Sequence, residues 1–177
     1  LPDTLKTDIE DFDKTEIELI ETLLKKTIDA LIKFRSDEGK ILETEFNKRL
    51  DNLEGLCKEV EIIDPERSSK IKEKLKSALD TLQAEIDQNR FEQELIYYLE
   101  KYDITEEKVR LKNHIDYFKK TLSSDTSNGK KLGFIAQEIG REINTIGSKA
   151  NHARLQKLVI QMKDELEKIK EQLLNVL

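Results

Sequence analysis

The chain has 177 residues, enough for one or two domains, with 38% charged and 37% hydrophobic. Aromatic residues make up 6%, there is no Trp, and only two prolines occur, which favours long helices over a sheet protein. No apolar run of about 18 residues exists to span a membrane, and the lone Cys57 excludes an internal disulfide and suits a reducing compartment.

Residues 1–14, LPDTLKTDIEDFDK, show no consistent period and read as an entry arm or linker. The chain opens on Leu1 and not Met, as expected of a fragment or a processed product. Asp13 suits a helix cap ahead of Glu16 and Glu18. From Thr15, Ile17, Ile20, Leu24, Ile28, Leu31, Ile41, Leu42, Phe46, Leu50, Leu53, Cys57 and Val60 recur at helical spacing. This spacing reads as one helix of more than 40 residues, or as two meeting near Ser36–Gly39. A single helix would extend roughly 60–70 Å at 1.5 Å per residue, so it is expected to pack in an antiparallel hairpin or coiled coil. Asp64-Pro65 is expected to end it, because Pro disfavours a helical residue before it and suits the first turn of the next helix. Ile71, Leu75, Ala78, Leu79 and Leu82 then mark a returning helix, which places a long helical hairpin over 15–83.

Ala84–Gln88 is a short break, and a C-terminal helical domain is expected over 88–177. Phe91, Leu95, Ile96, Tyr98 and Leu99 mark a helix that stops near Asp103. Thr105 is expected to cap the next, with Ile104 and Val109 as a hydrophobic staple and Leu111, Ile115, Phe118 and Leu122 inward. Ser123–Gly129 is the clearest loop, with Asn128-Gly129 as its turn signal. The last helix carries Leu155, Leu158, Val159, Met162, Leu166, Ile169 and Leu173 inward.

Between them lies Lys130–Asn151, KKLGFIAQEIGREINTIGSKAN, the stretch that looks most like a site. It sits in the basic part of an acidic chain: residues 105–157 hold 11 Lys and Arg against 6 Asp and Glu, whereas 1–104 hold 17 against 27. A local basic surface outweighs whole-chain acidity at contact range. On a helical wheel Leu132, Ile135, Ala136, Ile139, Ile143, Ile146 and Ala150 form one apolar arc. The opposite arc holds amides, hydroxyls, carboxylates and cations. Gly133, Gly140 and Gly147, seven residues apart, line one edge at a cost of roughly 1 kcal/mol each relative to Ala, which points to a close approach by a ligand or a packing partner. Gly147-Ser148 either interrupts this helix or caps the next.

No phosphate-binding glycine loop, CxxC or HExxH motif is present, and there are only two histidines. Glu138 and Glu142, one turn apart, can share a hard divalent cation, or simply pair with Arg141, Thr145 and Lys149 on a solvated face. Arg141 and Lys149 suit phosphates. Gln137 and Asn144 suit bases, a ribose hydroxyl or a neighbouring helix end. Phe134 can stack on a base or pack between helices. His114 becomes a general acid/base or ligand candidate if its helix packs beside this one. His152 follows the stretch directly, as a ligand or an incidental residue.

Three segments, DITEEKVRLKNHIDYF (Asp103–Phe118), GKKLGFIAQEIGREINTIGSKAN (Gly129–Asn151) and the ending KIKEQLLNVL, together resemble the YicC/YloC family of bacterial endoribonucleases. The similarity is strongest over Phe91–Leu177 and suits that family's C-terminal domain, with the upstream helices matching its middle region. Full members carry a further N-terminal α/β domain. The resemblance implies a cytoplasmic, divalent-metal-dependent nuclease acting on single-stranded or structured RNA as a ring-like homo-oligomer. It singles out Gln137, Glu138, Arg141, Glu142, Asn144, Thr145, Gly147, Ser148 and Lys149, with Glu106, Glu107, Arg110 and His114. This chain departs from the commoner pattern at Gly133, Gly140 and His152, where many relatives carry Asp, Asn and Asp.

The resulting expectation is an all-α protein, a long antiparallel helical hairpin followed by a smaller bundle. Its function would be the C-terminal part of a metal-dependent endoribonuclease. Glu138 and Glu142 would bind Mg²⁺ or Mn²⁺, with His152 as a further ligand. Glu138, Glu142 and His114 would form the catalytic group, with His114 carrying protons and water as the nucleophile. Arg110, Lys131, Gln137, Arg141, Asn144, Ser148 and Lys149 would hold RNA. The alternative is a non-catalytic oligomerisation and RNA-binding scaffold. A generic coiled-coil adaptor fits the first half alone.

Overall fold

The structure, a computed structural model, describes residues 13–82, 88–124 and 128–176. Among them are five α-helices and no strand: α1 (Lys14–Leu82), α2 (Gln88–Tyr102), α3 (Thr105–Leu122), α4 (Gly129–Lys149) and α5 (Ala153–Leu173). The protein is therefore all-α, as its composition predicts. The expected entry arm up to Phe12, the break at 84–87 and the loop centre at 125–127 lie outside the described residues. So do the side chains of Leu75, Ala78, Leu79, Leu82 and Phe91.

Two compact units divide at Ile41/Leu42, inside α1. In the first, Asp13 caps the helix as expected, accepting from the Thr15 hydroxyl at 2.6 Å and the Thr15 amide at 3.4 Å. The apolar residues of this unit that the structure describes, among them Ile17, Ile20, Leu24, Ile28 and Leu31, are exposed.

The second unit begins at Leu42 and holds the core. Phe46, Leu50, Leu53, Cys57 and Val60 follow the alternating three- and four-residue steps of a helical stripe, and all but half-buried Cys57 are fully buried. The expected turn at Asp64-Pro65 does not occur, and α1 continues through Pro65 to Leu82. Pro in a helix interior costs about 3 kcal/mol through its missing N–H and its ring. Here it is held by a buried polar clamp. Arg67, 2% exposed, pairs with Asp64 at 2.7 Å and donates to the carbonyls of Tyr102 at 2.7 Å and Lys149 at 3.1 Å. Asp64 also pairs with Lys108 at 2.6 Å. The same short stretch thus fixes α1 to the α2–α3 junction and to the end of α4. After α1, α2 returns to bring Leu99 and Tyr102 near Ile71 and Arg67.

Helix α3 starts differently from expectation. Thr105 lies inside the helix, and Asp103 accepts both its amide (3.0 Å) and its hydroxyl (2.7 Å). The Thr105 hydroxyl is the main reason the Asp103 carboxyl is held below its usual range. The Ile104–Val109 staple does not form, since Ile104 is buried in the core and Val109 is 55% exposed.

Helix α4 lies between α3 and α5. It runs antiparallel to α3, as Lys131 meets Tyr117 and Lys149 meets Glu107. It runs antiparallel to α5, as Gly140 faces Leu166 and Gly147 faces Val159. Every residue of the predicted apolar arc is buried. Helix α1 closes the core through Phe46 against Phe118, with ring centroids 5.8 Å apart, and through Arg49 and Asn52 to Glu165 of α5. Gly147-Ser148 does not interrupt α4; the Ser148 hydroxyl donates to the Thr145 carbonyl at 2.9 Å within the helix.

Candidate active site

The antiparallel register of α3 and α4 sets His114 opposite the Glu138–Glu142 turn. One ligand atom from each of His114, Glu138 and Glu142 lies within 4.8 Å of the other two. The three differ in exposure. Glu142 is 4% exposed, His114 is half-buried, and the Glu138 side chain is 47% exposed. Arg141 Nη1 is 3.8 Å from Glu138. No Lys or Arg among the described residues pairs with Glu142, so a carboxylate in the seam of two helices has no compensating protein cation. Uncompensated burial of a charge is costly. One nitrogen and two carboxylate oxygens converging on one point form a donor set that fits a hard or borderline divalent cation.

His152 does not join this group. It precedes α5, beyond the far end of α4, close enough to Glu66 to help hold that carboxyl low after the larger effects of Lys70. Its Nδ1 is buried without a partner among the described residues. Ala150 to His152 carry the chain from the end of α4 into α5, some ten residues along from the Glu138–Glu142 turn.

The residues expected to hold RNA separate into two kinds. Gln137, Arg141, Asn144 and Ser148 are exposed on the outer face of α4, and Arg110 is exposed on α3 in an ion pair with Glu106. Lys131 stands over the Tyr117 ring, 4.9 Å from its centroid. Lys149 instead pairs with Glu107 at 2.7 Å, and Glu107 is itself buried. Phe134 is 67% exposed, which rules out the core role open to it from sequence. The glycine edge points away from this site. Added methyl groups on Gly140 and Gly147 would meet Leu166 and Val159 of α5 at 3.1 and 3.0 Å, while Gly133 faces open space. Two of the three glycines therefore serve helix packing.

Sequence reading missed Tyr117 and the Asp64–Arg67 clamp. Tyr117 is three residues after His114, and that spacing alone places it on the same strip of α3.

A family model described as "Endoribonuclease YicC-like, C-terminal" matches residues 60–177, which takes in the whole His114–Glu138–Glu142 group. The chain belongs to the YicC-like endoribonuclease family. Two curated relatives agree. A probable endoribonuclease YicC of Clostridioides difficile (strain 630) is 40% identical, and one of Haemophilus influenzae is 28% identical. Each alignment covers 99% of this chain and 61% of the relative. The chain thus spans about three-fifths of the length of these relatives.

Proposed function

We propose that this chain is the RNA-cleaving C-terminal part of a divalent-metal-dependent endoribonuclease. The observation that carries the reading is the convergence of His114, Glu138 and Glu142 on one point within the family's matched domain. Glu138 and Glu142 would hold the cation, and the His114 imidazole favours Mn²⁺ over Mg²⁺ as the third donor. A bound cation supplies stabilisation of phosphoryl charge and a more acidic water as nucleophile. When not ligated, His114 would carry a proton beside the same carboxylates. Arg141, exposed next to Glu138, would orient a phosphate through its planar fork, with Arg110 and Lys131 adding positive charge along the seam. Gln137, Asn144 and Ser148 offer hydrogen bonds to sugar or base edges. A cytoplasmic setting is part of this reading.

The test is cleavage of labelled RNA by this chain with Mn²⁺, Mg²⁺ or EDTA. Glu142→Gln and His114→Ala should each abolish metal-dependent cleavage, and cleavage that survives Glu138→Ala with Glu142→Ala would overturn the assignment. RNA affinity should fall with added salt, and Arg141→Ala should reduce the salt slope by about 1.

A second reading, that the chain also assembles with copies of itself, is favoured by the first unit. Ile17, Leu19, Ile20, Leu23, Leu24, Ile28, Leu31 and Ile32 are all exposed there. An apolar arc this wide on one helix is expected to be covered by other helices. Light scattering on the intact chain and on Leu24→Glu with Leu31→Glu decides it: the double variant should be smaller.

No helix among the described residues is long and apolar enough to cross a membrane.

A further inference from the structure

Two exposed aromatic side chains flank the His114–Glu138–Glu142 group on one side. Tyr117 is 46% exposed and Phe134 is 67% exposed. Tyr117 follows His114 by three residues on α3, and Phe134 precedes Glu138 by four on α4. Because the helices are antiparallel, one turn forward on α3 and one turn back on α4 lead in the same direction. The helices still adjoin there, since Lys131 Nζ is 4.9 Å from the Tyr117 ring centroid. Lys131 is in turn three residues before Phe134, on neighbouring strips of α4. Two exposed aromatic side chains and the Lys131 ammonium, which covers one face of the Tyr117 ring, therefore lie about one helical turn, roughly 5.4 Å along the helices, from the carboxylates.

That combination is the chemistry of an unpaired nucleotide. An aromatic ring stacks on any base, and a lysine serves the adjoining phosphate as a point charge. A base inside an A-form duplex has its faces covered by its neighbours and cannot reach such rings. An exposed Phe one turn from Glu138 and three residues from Lys131 is also not explained by the fold, since it contributes nothing to the core.

We propose that Tyr117 and Phe134, with Lys131, form a stacking subsite for the nucleotide next to the one whose phosphate lies at His114, Glu138 and Glu142. The substrate at this point is single-stranded, so cleavage falls beside an unpaired base and not within a duplex. The inference rests on the endoribonuclease reading for the role of the neighbouring group, but the binding it describes stands independently.

The experiment measures anisotropy of a labelled single-stranded oligoribonucleotide and of a blunt RNA duplex, in EDTA and in Mn²⁺, with RNA integrity checked on gels. Tyr117→Ala and Phe134→Ala should each weaken single-strand binding by about 5- to 100-fold. Tyr117→Phe should bind as the unaltered chain does, because stacking needs the ring and not the hydroxyl. Duplex binding should be unchanged in all three. A 2-aminopurine placed in the strand should lose its stacking-dependent quenching in the Ala variants alone. Unchanged single-strand affinity in both Ala variants, equal losses on strand and duplex, or no strand binding by the unaltered chain would each overturn the subsite. A fall in molecular mass on Phe134→Ala that accounts for any binding loss would overturn it in favour of an interface between copies. If Glu142→Gln abolishes cleavage while the Ala variants bind normally, the subsite fails and the nuclease reading stands. If binding needs Tyr117 and Phe134 but no metal supports cleavage, the nuclease reading fails and the subsite stands.

Discussion

Lys149 Nζ lies 2.7 Å from Glu107 Oε1, joining the last turn of α4 to the first turn of α3. The Glu107 side chain is 8% exposed, and its other oxygen, Oε2, is buried without a partner among the described residues. Lys149→Ala would leave that carboxylate with no cation in a poorly solvated position. The expected cost is about 1–3 kcal/mol, below the full value for a buried pair because Lys149 is partly exposed. Glu107→Gln keeps the shape and should cost less. Urea midpoints of the two variants measure this. Unchanged stability with a large loss of RNA affinity would instead assign Lys149 to RNA.

Arg67 is the most demanding polar residue in the core. It satisfies Asp64 and two backbone carbonyls from different elements. Arg67→Met would strip all three at once, for an expected loss of about 3–5 kcal/mol. Pro65→Ala acts in the opposite direction. It restores the missing N–H at an exposed position in a continuous helix, and should gain about 2 kcal/mol. Loss of stability in Pro65→Ala would show that α1 turns at this point after all.

The glycines of α4 should behave differently although they share one edge. Gly133→Ala meets nothing within 4 Å and should stabilise by about 0.5–1 kcal/mol. Gly147→Ala places a methyl 3.0 Å from Cγ1 of Val159, whose branched side chain is stiff at χ1. It should destabilise by about 1 kcal/mol. Gly140→Ala meets only the far end of Leu166 and should fall between them. Thermal unfolding of the three variants should give that order, and a common shift would remove the packing explanation.

Cys57 offers a pH-dependent test. Burial, then the charges of Glu61 and Glu54, push its thiol up to about 12 from a usual 9.0. The folded state therefore disfavours the thiolate. The contribution to stability is constant below pH 9 and is lost as pH rises from about 9 towards 12. At pH 8 the native thiol should react with a disulfide reagent much more slowly than the thiol in urea. Equal rates would place Cys57 at the surface.

The amino-acid pattern by itself determined the helical class, the inward faces of α3, α4 and α5, and the pairing of Glu138 with Glu142 on one helix turn. These follow from periodicity, which is local and readable along one strand of residues. The stripe from Phe46 to Val60 also continues through Asp64 and Arg67 at unbroken three- and four-residue steps. It was masked by the stop signal of Asp64-Pro65, because two charges do not look like core until their partners are known. Tertiary structure alone decided the rest. It brought His114 to Glu138 and Glu142 and left His152 beside Glu66, and it gave Gly140 and Gly147 to α5 while leaving Gly133 open. It also placed Tyr117 under Lys131. All but the position of His152 depend on the register of two antiparallel helices, and register is fixed by how side chains from both interlock, which neither helix carries in its own sequence.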